Sequence, residues 1–271
     1  MILRITRRNS AFQILQSLAT NRQKRHQTRT FLVEGVRPVT TALQSGWEVS
    51  AVIYANGRRL SSWAQDVVDR SKSATRYELS EELLAELSRK EETSEVLAVV
   101  EMPRDDLARI PVRRDLVAVV ADRPGSPGNL GTLMRSCDAF GAHGLIVSGH
   151  AADIYDPATI TASRGSLFAV PVVRVASPGA VAEWIAAIRA TQPRLRVVCA
   201  DERGASDVFD SDLTGPAVIV LGNEAQGLSR AYVEVCDTTV RIPMTGAASS
   251  LNVGVAGSIL LYEAARQRGK R

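Results

Sequence analysis

The chain has 271 residues, of which 45% are hydrophobic and 23% charged, with a formal net charge of +4. This is the composition of an ordinary globular protein, which excludes a low-complexity or disordered chain. No run approaches the roughly 20 apolar residues of a membrane-spanning helix. The N-terminal MILRITRRNSAFQ is basic without the apolar core of a secretory signal, so a cytoplasmic protein with no membrane partner is expected.

Residues 1–30 carry Arg4, Arg7, Arg8, Arg22, Lys24, Arg25 and Arg29 and no Asp or Glu. Such a segment suits a phosphate backbone and equally suits a solvated tail, and composition leaves both open. Within it, 10–19 reads as a helix with Phe12, Leu15 and Leu18 near helical spacing. FLVEG (31–35) reads as a strand, followed by a helix to about Gly46 and the strand AVIYA (51–55). Helices are predicted over 61–70 and 80–89, and the apolar run 96–102 as a strand closing a small domain. The expected organisation is a basic arm and helix at 1–30, a domain at 31–102, and a proline-containing linker at 103–114. A second domain is expected over 115–271. Its strands are predicted at 116–122, 144–149, 169–175, 194–200, 216–222 and 238–243, and its helices at 130–140, 179–190, 227–234 and 252–267. Near-continuous apolar strands alternating with helices imply an α/β domain with a mostly parallel sheet.

Cys137, Cys199 and Cys236 are scattered, and His26, His143 and His150 form no ligand spacing, so neither a disulfide framework nor a metal site is expected. Chemistry is instead concentrated at three strand ends, where open α/β sheets bind ligands. The first is DRPGSPGNLGTLMRSCDAFGAHG (122–144). Its glycines run GxxGxxG, and the next strand ends VSGH without the acid that would hold an adenosine ribose, which disfavours a nicotinamide dinucleotide site. Asn129 and Arg135, six residues apart, are expected on the loop and the second helical turn, both facing the loop's mouth; a helix cap and a solvated charge are the plainer reading. In VLGNEAQGLS (220–229), Gly222 and Gly227 bracket Asn223 and Glu224. This acid could serve a helix dipole or bind a polar substrate. In the third, 241–264, small residues dominate, and Ser249, Ser250 and Asn252 precede a helix reading Val253, Ala256, Ile259, Leu260. An N-cap with close helix packing explains this, as does a wall that lets a flat ligand reach backbone groups.

Taken in order, Asn129-Leu-Gly…Arg135, LGNEAQGL and IPM…SSLNVGVA resemble the three motifs of the TrmH/SpoU class of SPOUT RNA methyltransferases, over residues 116–267. FLVEGVRPVTTAL (31–43) resembles that family's substrate-binding domain, itself similar to a small RNA-binding ribosomal protein. NRQKR, GVRPV, DRPGSPGN and GHAADIYDP are similar to the actinobacterial 23S ribosomal RNA ribose methyltransferases of the avilamycin-resistance type; Arg164 in ASRG is shared with the thiostrepton-resistance type. The resemblance implies a SPOUT domain with a parallel sheet and a deep trefoil knot, and a homodimer. It implies S-adenosylmethionine beside Leu221, Gly222, Asn223, Gly227, Ile242, Met244, Ser250 and Leu251. The implied reaction is methylation of a ribose 2′-hydroxyl in 23S rRNA, at a uridine, with transfer RNA as the alternative substrate. Arg135 matches the catalytic arginine, Asn129 and Asn252 the residues that hold substrate or that arginine, Glu224 an orienting acid, and Ser250 the motif serine. RNA contacts are expected from Arg22, Lys24, Arg25, Arg29, Arg37 and Arg164. The intact set argues against a non-catalytic RNA-binding assembly factor on the same fold.

Overall fold

The computed structural model describes residues 1–72, 74–88, 92–248 and 250–269, so Ser249 and the Arg89 end of the expected 80–89 helix lie outside the described residues. Two compact units emerge. One is Met1–Arg104 with Tyr155–Ala169; the other is Asp105–Ile154 with Val170–Arg271.

The first unit runs β1 (Ile2–Ile5), α1 (Ser10–Thr20), α2 (Arg22–Thr28), β2 (Thr30–Glu34), α3 (Val36–Gln44), β3 (Val49–Ala55), α4 (Ser62–Arg70), β4 (Thr75–Leu79), α5 (Glu81–Leu87) and β5 (Val96–Glu101). Its sheet has the order β1-β4-β3-β5-β2, parallel at β1/β4 and β4/β3 and antiparallel at both β5 pairs. The basic segment 1–30 is therefore not a loose tail. It supplies an edge strand and two helices, capped by Asn9 accepting from the Phe12 N–H and by Asn21 accepting from the Lys24 N–H. The apolar stripe of α1 (Phe12, Leu15, Leu18) packs with Leu32, Ile53, Leu79 and Leu97 in the core.

The second unit runs β6 (Val117–Asp122), α6 (Pro127–Ala139) and β7 (Gly144–Ser148). The chain then makes α7 (Pro157–Ser163) and α8 (Ser166–Ala169), which belong to the first unit. It returns with β8 (Val172–Val175), α9 (Pro178–Thr191), β9 (Arg196–Ala200), β10 (Ser206–Asp207), β11 (Ala217–Leu221), α10 (Arg230–Val235), β12 (Thr238–Arg241) and α11 (Val253–Arg268). All seven strands are parallel, in the order β10-β12-β9-β11-β6-β7-β8. Side chains of β6, β7, β8, β9 and β11, with those of α9 and α10, form one core including Val120, Ile146, Val197, Val218, Ile185 and Tyr232. The strand expected over 169–175 starts only at Val172, because Ala169 closes α8.

The expected single stretch 115–271 is thus interrupted. Tyr155–Ala169 joins the first unit, where Phe31 lies 4.7 Å from Tyr155 and 6.2 Å from Phe168 between ring centroids. Trp47 Nε1 donates to the Phe168 carbonyl at 3.1 Å. Among the described residues, no helix is long and apolar enough to cross a membrane.

Candidate functional site

In the second unit's sheet, β6, β11, β9 and β12 are neighbours, and register sets Leu221 beside Ala121 on one side and Ala200 on the other. The loops leaving these strand ends therefore converge. After Asp122 the chain turns at Arg123 into α6, whose N-cap is Ser126 and whose first turn begins with Pro127. Pro is suited to that position because the first-turn N–H has no helical partner. Asn129 therefore lies within the first helical turn and is not the cap. After Leu221 comes Gly222, where an added Cβ would lie 2.6 Å from the Gly227 carbonyl carbon, so only glycine lets the 223–227 loop fold back this closely. Asn223 and Gly227 exchange backbone hydrogen bonds of 2.9 Å each way, and Gly227 takes φ +66°. The Asn223 side chain is used within the loop, with Oδ1 accepting from the N–H groups of Ala225 and Gln226. Asn252 caps α11, its Oδ1 accepting from Gly254 N at 2.9 Å and Val255 N at 3.3 Å.

Three residues, one from each sequence stretch, form a chain of hydrogen bonds. Glu224 Oε2 accepts from the Gly125 N–H at 3.3 Å, and Oε1 accepts from Asn129 Nδ2 at 2.9 Å. Asn129 Oδ1 in turn accepts from Asn252 Nδ2 at 2.7 Å. The carboxylate accepts only, so it fixes the Asn129 amide, which fixes Asn252. Because α10 begins at Arg230, Glu224 does not serve that helix's dipole and reaches across to α6 instead. Arg135 stands outside this chain. It is exposed, and among the described residues it makes no hydrogen bond or ion pair. Since α6 starts at Pro127, Asn129 is on the helix and not in the loop as expected, and Arg135 lies roughly 120° round the helix from it.

Beside this chain lies a cavity of about 470 Å³ whose lining includes Leu221, Gly222, Asn223, Gly227, Ile242, Met244, Ser250 and Leu251, which is every position expected beside a cofactor. Glu224 also lines it, as do Asp201 and Glu202 from the loop after β9, which the sequence reading missed. The available signal was two acids directly after an apolar strand, VVCADE, at the end of a parallel sheet where ligands bind. Burial pushes the Cys137 thiol up to about 12 and raises that of Cys199, so neither is a thiolate at neutral pH. Among the described residues, no three His, Cys, Asp or Glu side chains gather to hold a metal.

The profile of the SpoU rRNA Methylase family matches residues 116–262, more than half of the chain. The chain belongs to the SpoU rRNA methylase family. The SpoU L30e-like domain matches residues 9–98. This SpoU methylase is 52% identical over 266 residues to the 23S rRNA (uridine(2479)-2′-O)-methyltransferase of Streptomyces viridochromogenes, covering 98% of this chain and 92% of that one. It is 30% identical to the 23S rRNA (guanosine(2553)-2′-O)-methyltransferase RlmP of Bacillus subtilis (strain 168), covering 89% and 90% respectively. The solved structure of the SpoU methyltransferase AviRb from Streptomyces viridochromogenes in complex with the cofactor AdoMet superposes with a TM-score of 0.91 at 52% identity, covering 96% of this chain and 98% of that one.

The basic residues expected to touch RNA all lie in the unit that holds the L30e-like domain. Arg25 is a correction: it is 1% exposed. Its guanidinium donates to the Leu18 carbonyl at 3.0 Å and pairs with Asp156 at 3.3 Å, so it ties parts of the first unit together rather than meeting solvent. Arg29 takes a left-handed conformation at the end of α2 and donates to the carbonyls of Met102 and Pro103. Arg22, Arg37 and Arg164 are exposed and Lys24 is half-buried. Arg37 and Arg164 come close together, since Gly165 packs against the stem of Arg37 and against Thr41 on α3.

Proposed function

We propose that this SpoU methylase transfers a methyl group from S-adenosylmethionine to the 2′-hydroxyl of a uridine ribose in 23S rRNA, and that it works in the cytoplasm. The hydrogen-bonded series Glu224–Asn129–Asn252, whose Glu224 lines a nucleoside-sized cavity, carries the reading. The name of the Streptomyces relative, similar along nearly the whole chain, supports uridine and 23S rRNA.

The cavity fits the cofactor chemically. Leu221, Ile242 and Leu251 supply apolar walls for a base, Gly222 leaves backbone groups reachable, and Asp201 and Glu202 bring carboxylates to the rim for hydroxyl or amino groups. S-adenosylmethionine supplies a methyl group on a positively charged sulfur. The chain's residues must then place the ribose oxygen in line with that methyl and stabilise the oxygen as its proton leaves. Glu224, Asn129 and Asn252 form a fixed polar wall for the nucleotide, and Ser250 adds a hydroxyl to it. Arg135 presents an exposed guanidinium. A guanidinium offers donors and no acceptor, so its role is to bind an RNA phosphate and stabilise the developing oxyanion. Arg22, Lys24, Arg29, Arg37 and Arg164 grip the RNA backbone, while RNA shape and splayed bases select the site.

We further propose the family's trefoil knot and a homodimer. On α11, Val255 is 45% and Tyr262 56% exposed, and Tyr262 packs edge-on against Phe140, so this helix carries an apolar patch suited to a second copy.

The test is transfer of labelled methyl from S-adenosylmethionine to protein-free 23S, 16S and transfer RNA, followed by nucleoside analysis. A 2′-O-methyluridine from 23S rRNA is expected. Label in transfer RNA alone would move the substrate, and label in no pool would overturn activity on free RNA. Light scattering tests the dimer.

A further inference from the structure

We infer that Arg123 is a positioning residue that locks the 223–227 loop against the end of β6, and so shapes the cofactor cavity. The inference rests on reading that cavity as the S-adenosylmethionine pocket. Arg123 is one of three non-glycine residues with positive φ among the described residues, at 53°. A left-handed conformation is disfavoured at any residue with a Cβ, and here it turns the side chain back over its own strand. Gly149 makes room, since an added Cβ there would lie 3.0 Å from Arg123 Cγ.

The guanidinium grips Asp122 with two prongs, Nε to Oδ1 at 3.1 Å and Nη2 to Oδ2 at 3.0 Å. Its remaining donors reach the loop: Nη1 donates to Gln226 Oε1 and Nη2 to the Gly227 carbonyl at 3.2 Å. The Arg123 carbonyl accepts from Asn223 Nδ2 at 2.7 Å. Asp122, only 1% exposed, also accepts the Ser229 N–H at 2.8 Å. Asn223, Gln226, Gly227 and Ser229 are thus all tied to two adjacent residues. The loop lines the cavity and carries Glu224, whose contacts lie outside its own loop, on Gly125 and Asn129. Freeing the loop would therefore widen the cavity and release Glu224 together. A lysine at position 123 could pair with Asp122 but has no planar fork to span Asp122, Gln226 and Gly227 at once.

Calorimetric titration of S-adenosylmethionine into the full chain tests this with Arg123→Lys, Gln226→Ala and the double variant. Gln226 is exposed, so its variant folds even if an Arg123 variant does not. Arg123→Lys is expected to raise the cofactor Kd at least tenfold and Gln226→Ala three- to fivefold. In the Arg123→Lys background, Gln226→Ala should add less than twofold, because the two act through one contact. Values within twofold of wild type for both single variants overturn the proposal, even if Tm falls, since that is a purely structural role. Fully additive effects also overturn it. A wild-type chain that takes up no cofactor overturns the pocket reading and this inference with it.

Discussion

At Asn252 the side-chain oxygen caps α11 while the nitrogen donates to Asn129. Asn252→Asp separates these roles, because Asp caps a helix as well as Asn does. The new carboxylate cannot donate, and Asn129 then sits between two acceptors, the other being Glu224. Turning its amide over serves one and repels the other. The expected outcome is a fall in kcat of at least tenfold with Tm unchanged within about 2 °C, read by methyl-transfer kinetics and thermal unfolding. Arg135→Ala should lower methyl transfer more than a hundredfold and leave the cofactor Kd within twofold, because Arg135 is not among the cavity's lining residues. Turnover retained by that variant removes Arg135 from the catalytic set. The sequence marks Asn129, Glu224 and Asn252 as motif residues, but not who bonds to whom. The partners are 95 and 123 positions apart, and the register of β6 with β11 and the packing of α11 on α6 bring them together. Arg25 looked like a phosphate ligand for the same reason, since the Asp156 that pairs with it is 131 positions away.

Among the elements, the buried strands were legible because β6, β7 and β11 are buried at every position and mostly apolar, with Asp122 and Ser148 polar only at the strand ends. The edge and short strands were not. TRYEL (β4) is half-buried and charged, and β1 reads as part of a basic arm, so pairing rather than composition makes them strands. Close packing is written in single glycines. A Cβ on Gly257 of α11 would lie 2.4 Å from Leu133 Cδ2 on α6 and 2.7 Å from Leu221 Cδ1. Gly257→Ala is expected to cost about 1–3 kcal/mol by overpacking, measured by urea unfolding, and to perturb the cavity wall at Leu221. Arg25→Ala should cost roughly 2–3 kcal/mol, below the range for a fully buried pair because Asp156 keeps part of its surface in water. Its RNA affinity, measured at matched folded fraction, should not change its salt slope.

For the whole molecule, the mild net charge of +4 hides where cations are presented, since Arg25 is spent internally while Arg37 and Arg164 are exposed and adjacent. Replacing Arg37 and Arg164 with Ala should weaken 23S RNA binding. Each lost phosphate contact should flatten the slope of log affinity against log salt by about 0.7–0.9. An unchanged slope would remove both from the RNA-binding set. The discontinuity of the first unit also bears on how the protein is made. Phe31 and Trp47 emerge from the ribosome early, yet their partners Tyr155 and Phe168 follow only after the whole of β6, α6 and β7 has been synthesised. At roughly 5–20 residues per second, the nascent N-terminal unit waits several seconds with an aromatic face uncovered. A ribosome stalled far enough beyond Arg104 to expose it, but short of Tyr155, should therefore display a protease-sensitive chain, and one stalled far enough beyond Ala169 to expose it a resistant one.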